Sequence, residues 1–324
     1  MLRPFAFIAL ALLASLVHAA EPDLDQRRQA AASTADKHPY CKAIQPFFWE
    51  IGDHTGRLAS ASVGGPDSPG PATVMPIASA SKWLFGAYAV QRRQGKPTDE
   101  DIKALTMRSG YTGMSYMSCV RLLPRRRAEE TVQQCLAEKD NDQYSATHDG
   151  RFYYNGGHFQ ALASKALGLG DDNNARLAAD MITVLGPDLS ISFGSPQLAG
   201  GMQTSAADYS LFLRKLLNQQ LLLGGMLGSH AVCTNPKTCT TADFSPVPDT
   251  ESWHYSLAHW VEDDPVTGDG AFSSPGAFGF YPWIDASRQY YGVLARHSRE
   301  PRAYYQSVQC GRLIRRAWLS GVAQ

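Results

Sequence analysis

Ser79-Ala80-Ser81-Lys82 is the one place in the chain where a lysine follows a serine by three residues. Three residues is close to one helical turn, so on a helix the hydroxyl and the amine share a face. A serine hydroxyl is a poor nucleophile at neutral pH unless a base stands beside it. A lysine kept neutral by burial can take its proton. Two other stretches carry groups of use to such chemistry. In Phe152-Tyr153-Tyr154-Asn155-Gly156-Gly157, Tyr153 and Asn155 fall on one side of an extended segment. A phenol beside a lysine can shuttle protons, and a carboxamide can orient both the lysine and a substrate carbonyl. Tyr154 is the alternative phenol, one residue out of that spacing. In Ser274-Pro275-Gly276-Ala277, Gly276 lets a strand edge approach a ligand. The Ala277 N–H can then pair with the Ser79 N–H to hold an oxyanion.

The elements that must position these groups can be read from pattern. Pro76 precedes the serine, and Lys82 to Arg92 is apolar nearly all round (Trp83, Leu84, Ala87, Tyr88, Val90), which predicts a buried helix. Its first turn would set Ser79 and Lys82 at the base of a pocket, with the helix dipole aimed at any oxyanion formed there. Phe47 to Val63 reads as a β-hairpin about Gly-Asp-His-Thr-Gly. Residues 156–169 and 205–223 read as helices, with paired glycines and a Thr204 or Ser205 cap before the second. Tyr255 to Val261, Gly276 to Ile284 and Gln289 to Arg296 read as strands, and residues 303–319 as a closing helix. The expected fold is α+β: an antiparallel sheet built from both chain ends and flanked by helices, plus a helical lobe. The sheet part is 39–78 and 250–324, the helical lobe 79–249, and 114–149 a surface insertion.

The first residues point to export. Arg3 precedes an apolar run, Phe5 to Val17, too short for a comfortable membrane span, and Val17-His18-Ala19 suits cleavage. Residues 1–19 are expected to be a signal peptide, with cleavage after Ala19, and 20–38 a polar leader. An uncleaved anchor is the rival reading; polar sequence from Glu21 argues against it. The expected location is periplasmic or secreted, without stable membrane insertion. Six cysteines fit an oxidising compartment. Sequence leaves their connectivity open; the expectation is Cys233–Cys239, Cys119–Cys135 and Cys41–Cys310. No Cys-x-x-Cys pair supports a metal site. Thirty basic residues balance thirty acidic ones, and Arg125-Arg126-Arg127 is the lone basic cluster, so nothing favours nucleic acid.

Taken in order, Ser79-x-x-Lys82, Tyr153-x-Asn155, the Gly200-Gly201 helix start and Gly276-Ala-Phe-Gly-x-Tyr-x-Trp-Ile-Asp285 resemble the serine β-lactamase superfamily. The branch resembled is that of class C β-lactamases, DD-peptidases and related esterases, over roughly residues 40–320. No Ser-Asp-Asn exists to suit class A, and no Gly-x-Ser-x-Gly suits a Ser-His-Asp hydrolase. The resemblance implies that Ser79 is acylated and Lys82 activates it. It gives Tyr153 the proton transfers and Asn155 the orientation of Lys82 and substrate. Ser274, Gly276 and Ala277 would bind substrate and oxyanion, and no cofactor is required. The family's third motif begins with lysine or histidine, whereas this chain has Ser274-Pro275-Gly276. The cation that would meet a β-lactam or peptide carboxylate is missing. Lys237-Thr238-Cys239 does not replace it, since cysteine holds the glycine position. The expected activity is hydrolysis of a small ester or amide, or of a cell-envelope peptide. The alternative is a catalytically inactive fold that binds an envelope ligand or partner. In the blander reading of the motif itself, Ser79 only caps a helix and Lys82 lies on a solvated turn.

Overall fold

The computed structural model describes residues 21–115, 119 and 129–324; the signal-peptide expectation and the Arg125 cluster lie outside them. The main sheet holds β1 (Phe47–Asp53), β2 (Arg57–Val63), β3 (Val232–Cys233), β4 (His254–Tyr255), β5 (Trp260–Glu262), β6 (Ala271–Ser273), β7 (Tyr281–Ile284) and β8 (Tyr290–Ala295). Their order is β2-β1-β8-β7-β6-β5-β4-β3, and every pairing is antiparallel. The two chain ends therefore meet at β1 and β8, where Phe48 opposes Ala295 and Asp53 opposes Tyr290. The α+β architecture expected from sequence is the one observed. At the β1–β2 turn the Asp53 carboxylate accepts the Thr55 and Gly56 N–H groups at 2.8 and 3.2 Å.

Helices cover both faces of the sheet. They are α1 (Leu24–Lys37), α2 (Ser81–Arg92), α3 (Gly157–Lys165), α4 (Asn174–Leu185), α5 (Ala206–Leu217) and α6 (Ala303–Ser320). Neighbouring residues of a strand point to opposite faces. On β8, Tyr290 stacks edge-on against Trp318 of α6, while the Tyr291 hydroxyl donates to buried Glu50 and feels Arg214 of α5. So α6 lies on one face and α5 on the other. Helix α1 packs on α6: Ala31 and Ala35 are buried, and the Arg27 guanidinium donates to the Trp318 carbonyl at 3.1 Å. The Asp23 carboxylate caps α1 from residues read as a polar leader. The cysteines pair as Cys41–Cys310, Cys119–Cys135 and Cys233–Cys239. The first ties the segment ahead of β1 to α6.

Two strand expectations are corrected. Residues 255–261 form not one strand but β4 and β5, joined by a turn in which the Ser256 N–H donates to the His259 carbonyl at 2.8 Å. Ala258 takes a positive φ of 62° there, in a turn without glycine or asparagine, so the usual sequence signal is absent. Gly276 to Phe280 is a turn rather than strand, closed by Gly276 N–H to the Phe280 carbonyl at 2.8 Å; β7 begins at Tyr281. The strand before it, β6, was not expected.

Helix α2 is the centre of the core. Trp83, Leu84, Phe85, Ala87, Tyr88, Ala89 and Val90 are all buried. Wrapping a helix on all sides in this way fixes its first turn, and with it the segment that carries Ser79.

Candidate active site

Ser79 sits in a short 3₁₀ turn, Ala78–Ala80, that feeds directly into α2. Four anchors hold this turn. The Ile77 N–H donates to the Met202 carbonyl at 3.1 Å, and the Met202 N–H donates to the Ser81 hydroxyl at 3.2 Å. The Tyr209 hydroxyl donates to the Ala80 carbonyl at 2.8 Å, and the Ser274 hydroxyl to the Ser79 carbonyl at 3.0 Å. Sheet, α5 and the Gly200-Gly201 segment thus converge on one turn. Gly276 is part of the closure: a Cβ there would meet the Ile77 carbonyl oxygen at 2.1 Å. Gly276→Ala is expected to destabilise the fold by about 1–3 kcal/mol and to push the Ser79 turn out of place. Thermal melts and the rate of Ser79 labelling check this; an unchanged melt with unchanged labelling would contradict the close packing.

Lys82 lies one turn along, 4% exposed. Its Nζ donates to the Ser79 Oγ at 2.9 Å and to the Ala199 carbonyl at 2.8 Å. Among the described residues no carboxylate pairs with it, and burial alone pushes its pKa down to about 7. A charged ammonium loses more than a neutral amine when water is removed, which is the direction a base requires. At neutral pH a large share of Lys82 is therefore the free amine, within proton-transfer distance of a serine hydroxyl.

The phenol beside this pair is Tyr154. Lys82 Nζ lies 4.8 Å from the centre of the Tyr154 ring, and Tyr154 and Ser79 line one cavity. Tyr153 points elsewhere: its ring packs on His148 at 4.7 Å and on Phe244 at 5.4 Å. The reason is local. Phe152 and Tyr153 pair in parallel with Ala242–Phe244, and this fixes which side each residue faces. The carboxamide of Asn155 is spent on backbone, accepting the Gly157 N–H at 2.8 Å and donating to the Met114 carbonyl at 3.1 Å. It shapes the turn into α3 and makes no hydrogen bond to Lys82. The carbonyl that takes the second Lys82 hydrogen bond is Ala199, just ahead of the Gly200-Gly201 helix start. His158 is fully buried behind Tyr153, with Nε2 2.9 Å from the Tyr153 carbonyl and Nδ1 2.8 Å from the Ser109 hydroxyl. Burial pushes it down to about 4, so it stays neutral as a prop for this segment.

Pro275 and Ala277 close one side of the cavity, which has a volume of about 150 Å³. The rest of its wall is Pro246, Val247, Trp253, Trp260, Tyr304 and Tyr305. Among the described residues neither lysine nor arginine lines it, in keeping with the missing cation of Ser274-Pro275-Gly276. Sequence offered no signal for this wall, because Trp253 and the two tyrosines come from a loop and a helix end remote from every motif.

A scan against protein-family models finds no match, and neither does a search of curated protein sequences. Solved structures do match. A D-stereospecific amidohydrolase from Streptomyces sp. superposes with a TM-score of 0.59 at 14% identity, over 93% of this chain and 100% of that one. The octameric penicillin-binding protein homologue from Pyrococcus abyssi gives 0.59 at 14% identity, over 93% and 78%. Simvastatin synthase from Aspergillus terreus gives 0.59 at 14% identity, over 92% and 96%. The chain therefore has the serine β-lactamase and penicillin-binding protein fold, as its motifs suggested.

Proposed function

We propose that this chain is an exported serine hydrolase that cleaves a small ester or amide through an acyl-enzyme on Ser79. One observation carries the reading: the 2.9 Å contact between Ser79 Oγ and a buried Lys82 whose pKa is lowered to about 7. Neutral Lys82 takes the hydroxyl proton as Ser79 Oγ attacks the substrate carbonyl. The oxyanion is received by the Ser79 and Ala277 N–H groups. Tyr154, in the place first assigned to Tyr153, passes the proton to the leaving group. Water then attacks the acyl-enzyme, gives its proton to the same pair, and releases the acid and free Ser79. Asn155 acts only by holding the backbone around Tyr154. Three disulfides fit an oxidising compartment, which supports the periplasmic or secreted location. The likeness to a D-stereospecific amidohydrolase supports hydrolysis. A silent fold that binds an envelope ligand is the second reading, favoured only by the missing cation at Ser274-Pro275-Gly276.

With p-nitrophenyl acetate, the expected trace is a burst of about one nitrophenolate per enzyme before steady turnover. Neither burst nor turnover with any ester or amide would count against an acyl-enzyme. Tyr154→Phe is expected to lower kcat by about 10²–10⁴-fold. Tyr153→Phe should stay within about twofold of wild type. The reverse ranking would return the proton shuttle to Tyr153.

A further inference from the structure

A neutral lysine can take the Ser79 proton only if its lone pair faces the hydroxyl, which requires its N–H groups to turn to other acceptors. The Ala199 carbonyl is such an acceptor, at 2.8 Å. Ala199 lies in the connection between two short strands, Ser192–Phe193 and Met202–Thr204, and a side chain from α3 grips this connection. Gln160 is fully buried. Its Nε2 donates to the Pro196 carbonyl at 2.8 Å and to the Val132 carbonyl at 3.2 Å, and its Oε1 accepts the Leu198 N–H at 3.2 Å. Those bonds fix the peptides just ahead of Ala199. The residues beside Gln160 on α3, Phe159, Ala161, Leu162 and Ala163, are buried and apolar. A carboxamide in that setting costs free energy unless its polar atoms are met, and three hydrogen bonds meet them here. Helix α3 starts directly after Tyr154-Asn155-Gly156, and a Cβ on Gly156 would meet the Ala199 Cβ at 3.2 Å. Gln160 thus locks the segment that carries Tyr154 to the loop that offers the Ala199 carbonyl, the two groups beside Lys82.

We propose, resting on the hydrolase reading above, that Gln160 is a positioning residue that aims the Lys82 amine at Ser79 by holding the Ala199 carbonyl in place. Its three hydrogen bonds go to backbone, so it acts on Lys82 through Ala199. The hold has two consequences. The first is direction: with one N–H on Ala199, the lone pair faces the Ser79 hydroxyl 2.9 Å away. The second is basicity. A carbonyl acceptor favours the ammonium over the amine, because a charged donor makes the stronger hydrogen bond. Burial pushes Lys82 down to about 7, and losing this carbonyl would push it further in the same direction. The Val132 carbonyl that takes the other Nε2 hydrogen opens the short helix Val132–Leu136, whose Cys135 is bonded to Cys119. The surface insertion therefore backs the same contact.

The test is the pH dependence of kcat/KM with p-nitrophenyl acetate, read beside thermal melts and fluorophosphonate labelling. Gln160→Met keeps the volume and removes all three hydrogen bonds. Its plateau should fall by about 10²-fold, the size expected when a catalytic group is displaced by about 1 Å. Its acid limb should move about one pH unit below that of wild type. Gln160→Glu should stay within about threefold of wild type at pH 7, because a buried carboxyl remains protonated and keeps the Pro196 and Leu198 bonds. His158, the other buried polar group of α3, is pushed down to about 4 and stays neutral throughout. A part in packing alone would lower the melt of Gln160→Met and leave its acid limb in place. A folded Gln160→Met with an unmoved limb, or a Gln160→Glu as impaired as Gln160→Met, would overturn this inference while leaving the hydrolase reading intact. Should Gln160→Met not fold, Gln160→Glu decides alone. Its carboxyl ionises near about pH 8–9 and then loses the Pro196 bond, so its kcat/KM should decline there while wild type stays level. A level profile to about pH 9 in that variant would equally overturn the inference. A wild-type protein that neither turns over any ester nor takes the label contradicts the hydrolase reading itself.

Discussion

Lys82→Met should remove ester turnover and at the same time raise the melting temperature. Loss of the general base is expected to cost about 10²–10⁴-fold in kcat. Loss of the nucleophile's hydrogen-bond partner at 2.9 Å places the effect at the upper end of that range. The stability gain follows from linkage. Lys82 has a pKa of about 7 in the folded chain against 10.5 when solvated. Above 10.5 both states carry a neutral amine and the residue costs nothing. As pH falls from 10.5 towards 7, the unfolded chain binds the proton and the folded chain does not, so stability declines. Below about 7 the penalty is complete. At neutral pH the burial of Lys82 therefore costs a few kcal/mol, and methionine of similar volume relieves it. The same titration governs the wild-type rate. The neutral amine is the active form, so kcat/KM should rise about tenfold per pH unit up to about pH 7 and then level. A flat profile across pH 5.5–8.5, or a methionine variant that melts lower, would remove Lys82 from the role of a buried base.

Ser79→Ala should have the largest effect on turnover and almost none on folding. When one member of a nucleophile–base pair is deleted, the loss reaches about 10⁴–10⁶-fold, because the remaining groups cannot form the acyl bond. The fold should tolerate it. The side chain is only half-buried, the turn keeps its four anchors, and Lys82 keeps the Ala199 carbonyl. Melting should stay within about 2 °C of wild type. Activity that survives in a folded Ser79→Ala protein would assign the nucleophile to another residue.

The sequence made the Ser79–Lys82 pair legible because both residues lie on one turn of one helix, where spacing dictates geometry. It also made β1, β2, β8, α2 and α6 legible, since each has a period or a punctuated end. The phenol that the fold sets beside Lys82 is Tyr154, next to the Tyr153 expected from spacing. Alternation along an extended strand puts Tyr153 with Asn155, but which face meets the pocket depends on the parallel pairing to Ala242–Phe244, ninety residues on. Local pattern carries no record of that register. The Ala199 carbonyl is a backbone group and leaves no signature at all. The Trp253 wall depends on Arg312 and Tyr305 meeting Glu251 across more than fifty residues, so only the folded chain brings it into view.

Intact-protein mass spectrometry after exposure to a fluorophosphonate, with Ser79→Ala alongside, tests the central claim most directly. The expected result is one adduct on wild-type protein and none on the variant, with formation faster at pH 8 than at pH 6. No adduct on folded, oxidised wild-type protein, or an equal adduct on Ser79→Ala, would contradict an activated Ser79 and turn the search towards a bound envelope ligand.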